Sequence, residues 1–179
     1  MFTKTAVAFL AAAGAASAAP AATNKYFGGL AIHSGSDIQN AGVSASKNSL
    51  WLNHAQDASC DKQGTDFATF YIQDGAAYLY STSATPQQLY VDRSGMGRGN
   101  IGYTTGAQPT PKNSERTGFA VSESGYLTFD GSDAFYACPS TDGSYGIWQQ
   151  QFSEDCVSFG FSAQYTDSPV GCSYSQQGQ

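Results

Sequence analysis

FATFYIQDGAAYLY, residues 67–80, is the stretch that decides the fold. Aromatic and β-branched residues run up to Gln73, the dipeptide Asp74-Gly75 interrupts them, and Tyr78-Leu79-Tyr80 resumes the pattern. Asp-Gly between two such runs is a strong hairpin signal, because a tight turn that matches strand twist needs positive φ at both central positions. The same device recurs at Phe119-Ala120-Val121, Ser124-Gly125 and Tyr126-Leu127-Thr128-Phe129, ending in Asp130-Gly131. Further on, Val157, Phe159 and Phe161 alternate with Ser158, Gly160 and Ser162, the period-two pattern of a half-buried strand. No stretch sustains a helical period.

A faint echo links Leu50, Leu79 and Leu127, each in a strand–turn–strand context, at uneven spacing. The expected fold is all-β: a disulfide-stapled β domain over residues 26–179, β-trefoil-like or a closed barrel, with a β-sandwich as the alternative. Ahead of it, Lys4 precedes an apolar, alanine-rich run that ends in Ala16-Ser17-Ala18. A basic residue, a short apolar stretch and an A-x-A step predict a signal peptide over 1–18. Residues 19–25 read as a disordered leader. No later segment approaches the roughly 20 apolar residues of a membrane span.

The chain carries 8 basic and 14 acidic residues, a net charge of −6. Loss of Lys4 with the signal peptide leaves 7 − 14 = −7. That balance opposes nucleic acid or an anionic membrane as partner, since both demand positive surface. Four cysteines, Cys60, Cys138, Cys156 and Cys172, on an export route predict two disulfides. Of the three connectivities, Cys60–Cys138 with Cys156–Cys172 is expected, because the second pair closes a short loop. No C-x-x-C is present, and His33 and His54 fall outside any ligand spacing, so no metal or cofactor is expected.

Gly97-Arg98-Gly99-Asn100-Ile101-Gly102 matches the glycine signature of a dinucleotide loop letter by letter. Such a loop must open a helix whose N-terminus faces the pyrophosphate. Here Thr104, Thr105, Gly106, Pro109 and Pro111 follow, which forbids a helix, and the glycines read as a β-turn or bulged connection instead. Asp92-Arg93 reads as a local salt bridge beside that loop. No G-x-S-x-G elbow accompanies the histidines. Glycosidase chemistry needs two carboxylates across a cleft, yet most acidic residues, Asp74 and Asp130 among them, sit in turn-like settings. Catalytic residues are therefore expected to be none. Flat aromatic faces with polar edges suit sugar stacking, and Trp51, Tyr90, Tyr103, Tyr145 and Trp148 are the candidate glycan contacts.

The stretch SATPQQLYVDRSGMGRGNIGYTTGAQPTPKN, residues 83–113, closely resembles the PhiA family of fungal cell wall proteins. VSASKNSLWLN (43–53), ATFYIQDGAAYLYS (68–81), GYLTFDGSDAFYACPS (125–140) and PVGCSY (169–174) resemble the same family, so the likeness covers about 27–174. The cysteine-bearing C-terminal part is also similar to the C-terminal domain of yeast Pir-type wall mannoproteins. The chain lacks the glutamine repeats by which those proteins attach to glucan. The resemblance implies a secreted, wall-associated, non-enzymatic protein acting in phialide and conidium development, with IgE binding as a side consequence. Its implied partners are wall polysaccharide (glucan or chitin) or wall mannoproteins. The alternative is a secreted carbohydrate-binding protein or a wall-active glycosidase.

Overall fold

The computed structural model describes residues 24–175. The expected signal peptide, 1–18, and most of the 19–25 leader lie outside the described residues. Within them the all-β expectation holds.

The quoted hairpin forms as its turn dictates. β5 (Thr69–Gln73) and β6 (Ala76–Leu79) pair antiparallel, and Asp74 and Gly75 both take positive φ, 51° and 77°. Phe70 and Leu79 face each other across the pair and are buried, while Tyr71 and Tyr78 stack on the opposite face, ring centres 5.0 Å apart. Alternation thus assigns one face of the hairpin to the core, as period-two patterning requires.

Around this hairpin the ladder extends in both directions. β1 (Tyr26–Ile32) joins β5 and, on its other edge, β14 (Val157–Thr166). β14 continues to β12 (Phe135–Pro139) and β13 (Tyr145–Trp148), and β13 meets β3 (Ser49–Leu52) and β8 (Asn100–Thr105). β2 (Val43–Ser46) flanks β3. From β6 the ladder passes to β7 (Gln87–Asp92), which pairs with β8 along its whole length. The large antiparallel sheet therefore returns on itself through β7 and β8. Short pieces complete it: β9 (Ser114–Glu115) on β7, the hairpin of β10 (Phe119–Val121) with β11 (Leu127–Phe129), and β4 (Ala58–Cys60) with β15 (Cys172–Tyr174).

The inner face is aromatic and aliphatic: Phe27, Phe70, Tyr103, Phe135 and Phe161 are buried with Leu50, Leu52, Leu79, Ile101 and Ile147. Phe161 sits edge-on to Phe70 and tilted against Phe135, at 5.9 and 5.8 Å between ring centres. Contacts at such separations add to the burial itself.

The disulfides correct the expected pairing. Cys60 bonds Cys172, and Cys138 bonds Cys156. Sheet register, not loop length, selects the partners. Cys60 stands directly opposite Cys172 in the β4–β15 pair, and β12 lies beside β14, which brings Cys138 to the residue preceding that strand. The last strand is also held from inside. The buried Gln87 amide donates to the Cys172 carbonyl at 2.9 Å and accepts from the Tyr174 N–H at 2.7 Å. The Tyr174 hydroxyl donates to Gln56 Oε1 at 2.8 Å.

Candidate functional site

The glycine signature turns out to be a packing device. Its backbone donors point inward: Gly97 N–H donates to Ser94 Oγ, Arg98 N–H to the Ser94 carbonyl, Gly99 N–H to the Asp92 carbonyl, and Asn100 N–H to the Gly97 carbonyl. None is left to cradle a phosphate. Each glycine instead makes room for a neighbour. A Cβ on Gly97 would strike the Asp92 carboxylate, one on Gly99 would lie 2.6 Å from Gln150 Cγ, and one on Gly102 would lie 2.5 Å from Tyr90 Cζ and 2.8 Å from the Asn48 carbonyl. Gly102→Ala is therefore expected to destabilise the protein by roughly 1–3 kcal/mol, the usual range for overpacking. Gly95→Ala, which has open space around it, should stay within about 0.5 kcal/mol. Urea denaturation of both variants checks this; equal stabilities would refute the packing account.

Arg93 does not pair with Asp92 as expected. Its guanidinium donates to Glu115 at 2.8 Å and to Gln149 Oε1, and lies 3.5 Å from Asp130. The same group sits 5.1 Å above the centre of the Phe129 ring. Asp92 turns its carboxylate to the Ser94 N–H, because a residue two positions on is the natural partner of an Asp at a turn. Arg93 thus ties β7, β9, the β10–β11 hairpin and the end of β13 together. Asp130, one of the carboxylates weighed for catalysis, is held in this ionic knot together with Glu115. Asp142 shows the turn role directly: hydrogen bonds from the Ser144 hydroxyl and N–H hold its carboxyl down to about 2. Ring nitrogens of His33 and His54 meet the backbone carbonyls of Ser158 and Ala55. Among the described residues no group of three His, Cys, Asp or Glu side chains is placed to hold a metal ion.

The candidate glycan contacts fall on both faces of the sheet: Tyr103 points inward, while Tyr90 shares the outer face with Trp51 and Trp148. Tyr90 and Tyr103 are buried, which removes both as exposed stacking platforms. The phenol end of Tyr90 lies over Gly102, and Tyr103 packs against Tyr174. Tyr145 is half-buried and packs against the core. Trp51 and Trp148 remain, both half-exposed and on the same outer face. Trp51 stands opposite Gly146, and the six-membered ring of Trp148 folds back over that glycine. Their indole N–H groups are anchored on the Ser46 and Gly97 carbonyls at 2.8 and 3.2 Å. Phe152 extends this aromatic strip beyond Trp148 at 4.8 Å, and the His54 ring extends it beyond Trp51 at 4.9 Å.

His54 also lines a groove of about 740 Å³ beside this strip. Gly28, Gly29 and Leu30 of β1 and the neighbouring Gly42 line it, as do Phe67 and Tyr165, which are 41 % and 54 % exposed. Asn53, Gln164, Thr166 and Ser168 add neutral hydrogen-bonding groups, and Asp66 is the one carboxylate in the lining. Sequence reasoning missed Phe67 and Tyr165. Phe67 looks like the first residue of the core hairpin, and Tyr165 like the last turn of a core alternation. The one signal available is the polar setting Gln164-Tyr165-Thr166-Asp167, where an aromatic residue has no apolar neighbour to bury it.

These features define a class: an all-β, disulfide-stapled protein of an oxidising, extracellular compartment, with an aromatic strip and a groove lined mostly by uncharged groups on its outer surface. The chain belongs to the PhiA-like secreted protein family, whose model matches residues 27–175. It is 49 % identical over 174 residues to the cell wall protein phiA of Aspergillus fumigatus, covering 93 % of this chain and 94 % of that one. To the cell wall protein phiA of Aspergillus niger it is 46 % identical, covering 92 % and 93 %. For the protein of that name in Emericella nidulans the identity is 43 %, covering 96 % and 98 %. No solved structure matches the chain. The chain is thus a secreted protein of the fungal cell wall. Among the described residues no helix is long and apolar enough to cross a membrane.

Proposed function

We propose that this protein is a non-catalytic wall component that docks on wall polysaccharide, glucan or chitin, and acts in phialide and conidium development. The observation that carries the reading is the outer surface itself. Half-exposed indole and phenyl faces adjoin a groove lined by neutral hydrogen-bonding groups, the combination that suits pyranose rings, with their apolar faces and hydroxyl edges. Absence of turnover is supported by the groove's lining: one carboxylate, Asp66, where glycoside hydrolysis uses a pair.

Purified protein mixed with insoluble β-glucan or chitin is expected to sediment with one of them and to release no new reducing ends. New reducing ends would replace this reading with a wall-active glycosidase, and failure to bind either polymer would remove the polysaccharide. The developmental part is tested by gene deletion. Malformed phialides or conidia are expected; normal sporulation, with the wild-type protein recovered only from the medium, would reject it.

A further inference from the structure

Most glycines in this fold have a conformational or packing reason, and three lack one. Among the described residues, each glycine other than Gly28, Gly42 and Gly95 either takes positive φ or would drive a Cβ into a neighbour. Gly29, next to Gly28 in β1, would push its Cβ against Phe161 and Val43. By contrast, a Cβ on Gly28 would meet nothing nearer than the Ala68 carbonyl at 4.0 Å, and one on Gly42 nothing nearer than Phe67 Cβ at 3.9 Å. Both residues have ordinary φ. Glycine weakens a strand, since it has no side chain to pack and more freedom to lose. Gly95 is in an exposed loop. Gly28 and Gly42 both line the groove, on strand-paired backbone: Gly28 opposite Gln164 and Thr69, Gly42 bridged to Leu30.

A strand glycine that neither turn geometry nor packing demands marks a bulge, a bend or the close approach of another molecule; Gly28 pairs with β14 in unbroken register, which leaves the last. We infer that Gly28 and Gly42 form a bare floor on which an uncharged pyranose chain lies, beside the exposed Phe67 ring, making this groove rather than the Trp51–Trp148 strip the principal glycan site. The inference rests on the polysaccharide reading above and assigns it a place. The choice of ligand follows from the lining. No Lys or Arg lines the groove to hold an anionic polymer, and the titratable side chains there are His54, Asp66 and Tyr165. Asn53, Gln164 and Thr166 supply both donors and acceptors, which ring hydroxyls need. Phe67 supplies a flat face.

The test fills the floor. Gly28→Leu and Gly42→Leu place side chains in open groove space without backbone strain, and Gly95→Leu does the same outside the groove. Binding of laminarihexaose and chitohexaose to the full secreted chain is measured by calorimetry, and thermal midpoints report folding. Wild type and Gly95→Leu should bind one oligosaccharide alike. Gly28→Leu, Gly42→Leu and Phe67→Ala should each weaken it about tenfold or more, a free-energy change of about 1.4 kcal/mol. The two leucine variants should keep or raise the midpoint. Phe67→Ala decides the matter should a leucine variant fail to fold. Undiminished binding by the folded groove variants, with loss in Trp148→Ala, would overturn the inference and move the site to the tryptophan strip. Binding of neither sugar by wild type would instead reject the polysaccharide reading itself.

Discussion

Replacing Cys60 and Cys172 together with alanine is expected to lower stability by roughly 4.8 kcal/mol, against roughly 3.2 for the Cys138/Cys156 pair. The difference lies in the unfolded chain. The first bridge closes a separation of 112 residues and the second one of 18, and loop-closure entropy grows with the logarithm of loop length. Native contacts sharpen the contrast. With the Cys60–Cys172 bond gone, β15 keeps its short pairing with β4, the two Gln87 hydrogen bonds and the Tyr174–Gln56 contact. Cys138 and Cys156 stay on β12 and just before β14, elements that pair with each other regardless. In a chain of this size the long-range loss amounts to a fall in thermal midpoint on the order of 10–15 °C. Thermal and urea unfolding of the two double variants, beside the wild type, measure it. A larger loss from the short bridge than from the long one would contradict the entropic account. A non-reduced peptide map linking Cys60 to Cys138 would contradict the pairing.

The hairpins were legible because their information is local. Asp74-Gly75 supplies the turn, and Phe70 and Leu79 face inward because the turn sets the register. Val157, Phe159 and Phe161 likewise declare one buried face through alternation alone. The partner of Cys60 was not legible, because it depends on β4 and β15 meeting from opposite ends of the chain. Tyr90 and Tyr103 mislead for a related reason. A tyrosine's phenol lets it serve core or surface, and only β7 lying on β8 sends Tyr90 over Gly102. The glycine signature shows how a pattern and its cause come apart: Gly97, Gly99 and Gly102 are spaced by what lies against them, Asp92, Gln150 and Tyr90, not by a ligand. The groove was the least legible feature. Gly28 and Gly29 are adjacent and identical in type, yet one faces Phe161 and the other faces open space, and only the folded β1–β14 ladder separates them.

Raising the pH through the tyrosine range is expected to unfold the protein by a route that two buried phenols control. Burial pushes the Tyr103 phenol from its ordinary value near 10 up to about 12; the Asn48 backbone hydrogen bond offsets part of that rise, and Asp57 and Tyr90 add to it. Burial, and then Tyr103 itself, raise Tyr174 further still. The sign follows from proton counting. Below about pH 10 both folded and unfolded chains keep these protons, and the full stability is present. Between about 10 and 12 the unfolded chain releases the Tyr103 proton while the folded chain retains it. Unfolding thus sheds protons, and its free energy falls as pH rises. Two units on one residue that is 1 % exposed amount to about 2–3 kcal/mol lost across that window; Tyr174, raised further, adds to the decline from the same starting pH and continues it above the window. Urea midpoints at about pH 8, 10 and 12 should hold steady to the second value and then drop. Tyr103→Phe, which cannot ionise, should match wild type near pH 8 and fall less steeply above pH 10, by that same 2–3 kcal/mol. Phenolate absorbance should show a delayed rise, coincident with unfolding, for the buried pair. Parallel pH profiles for wild type and Tyr103→Phe would mean that the buried phenol does not govern alkaline stability.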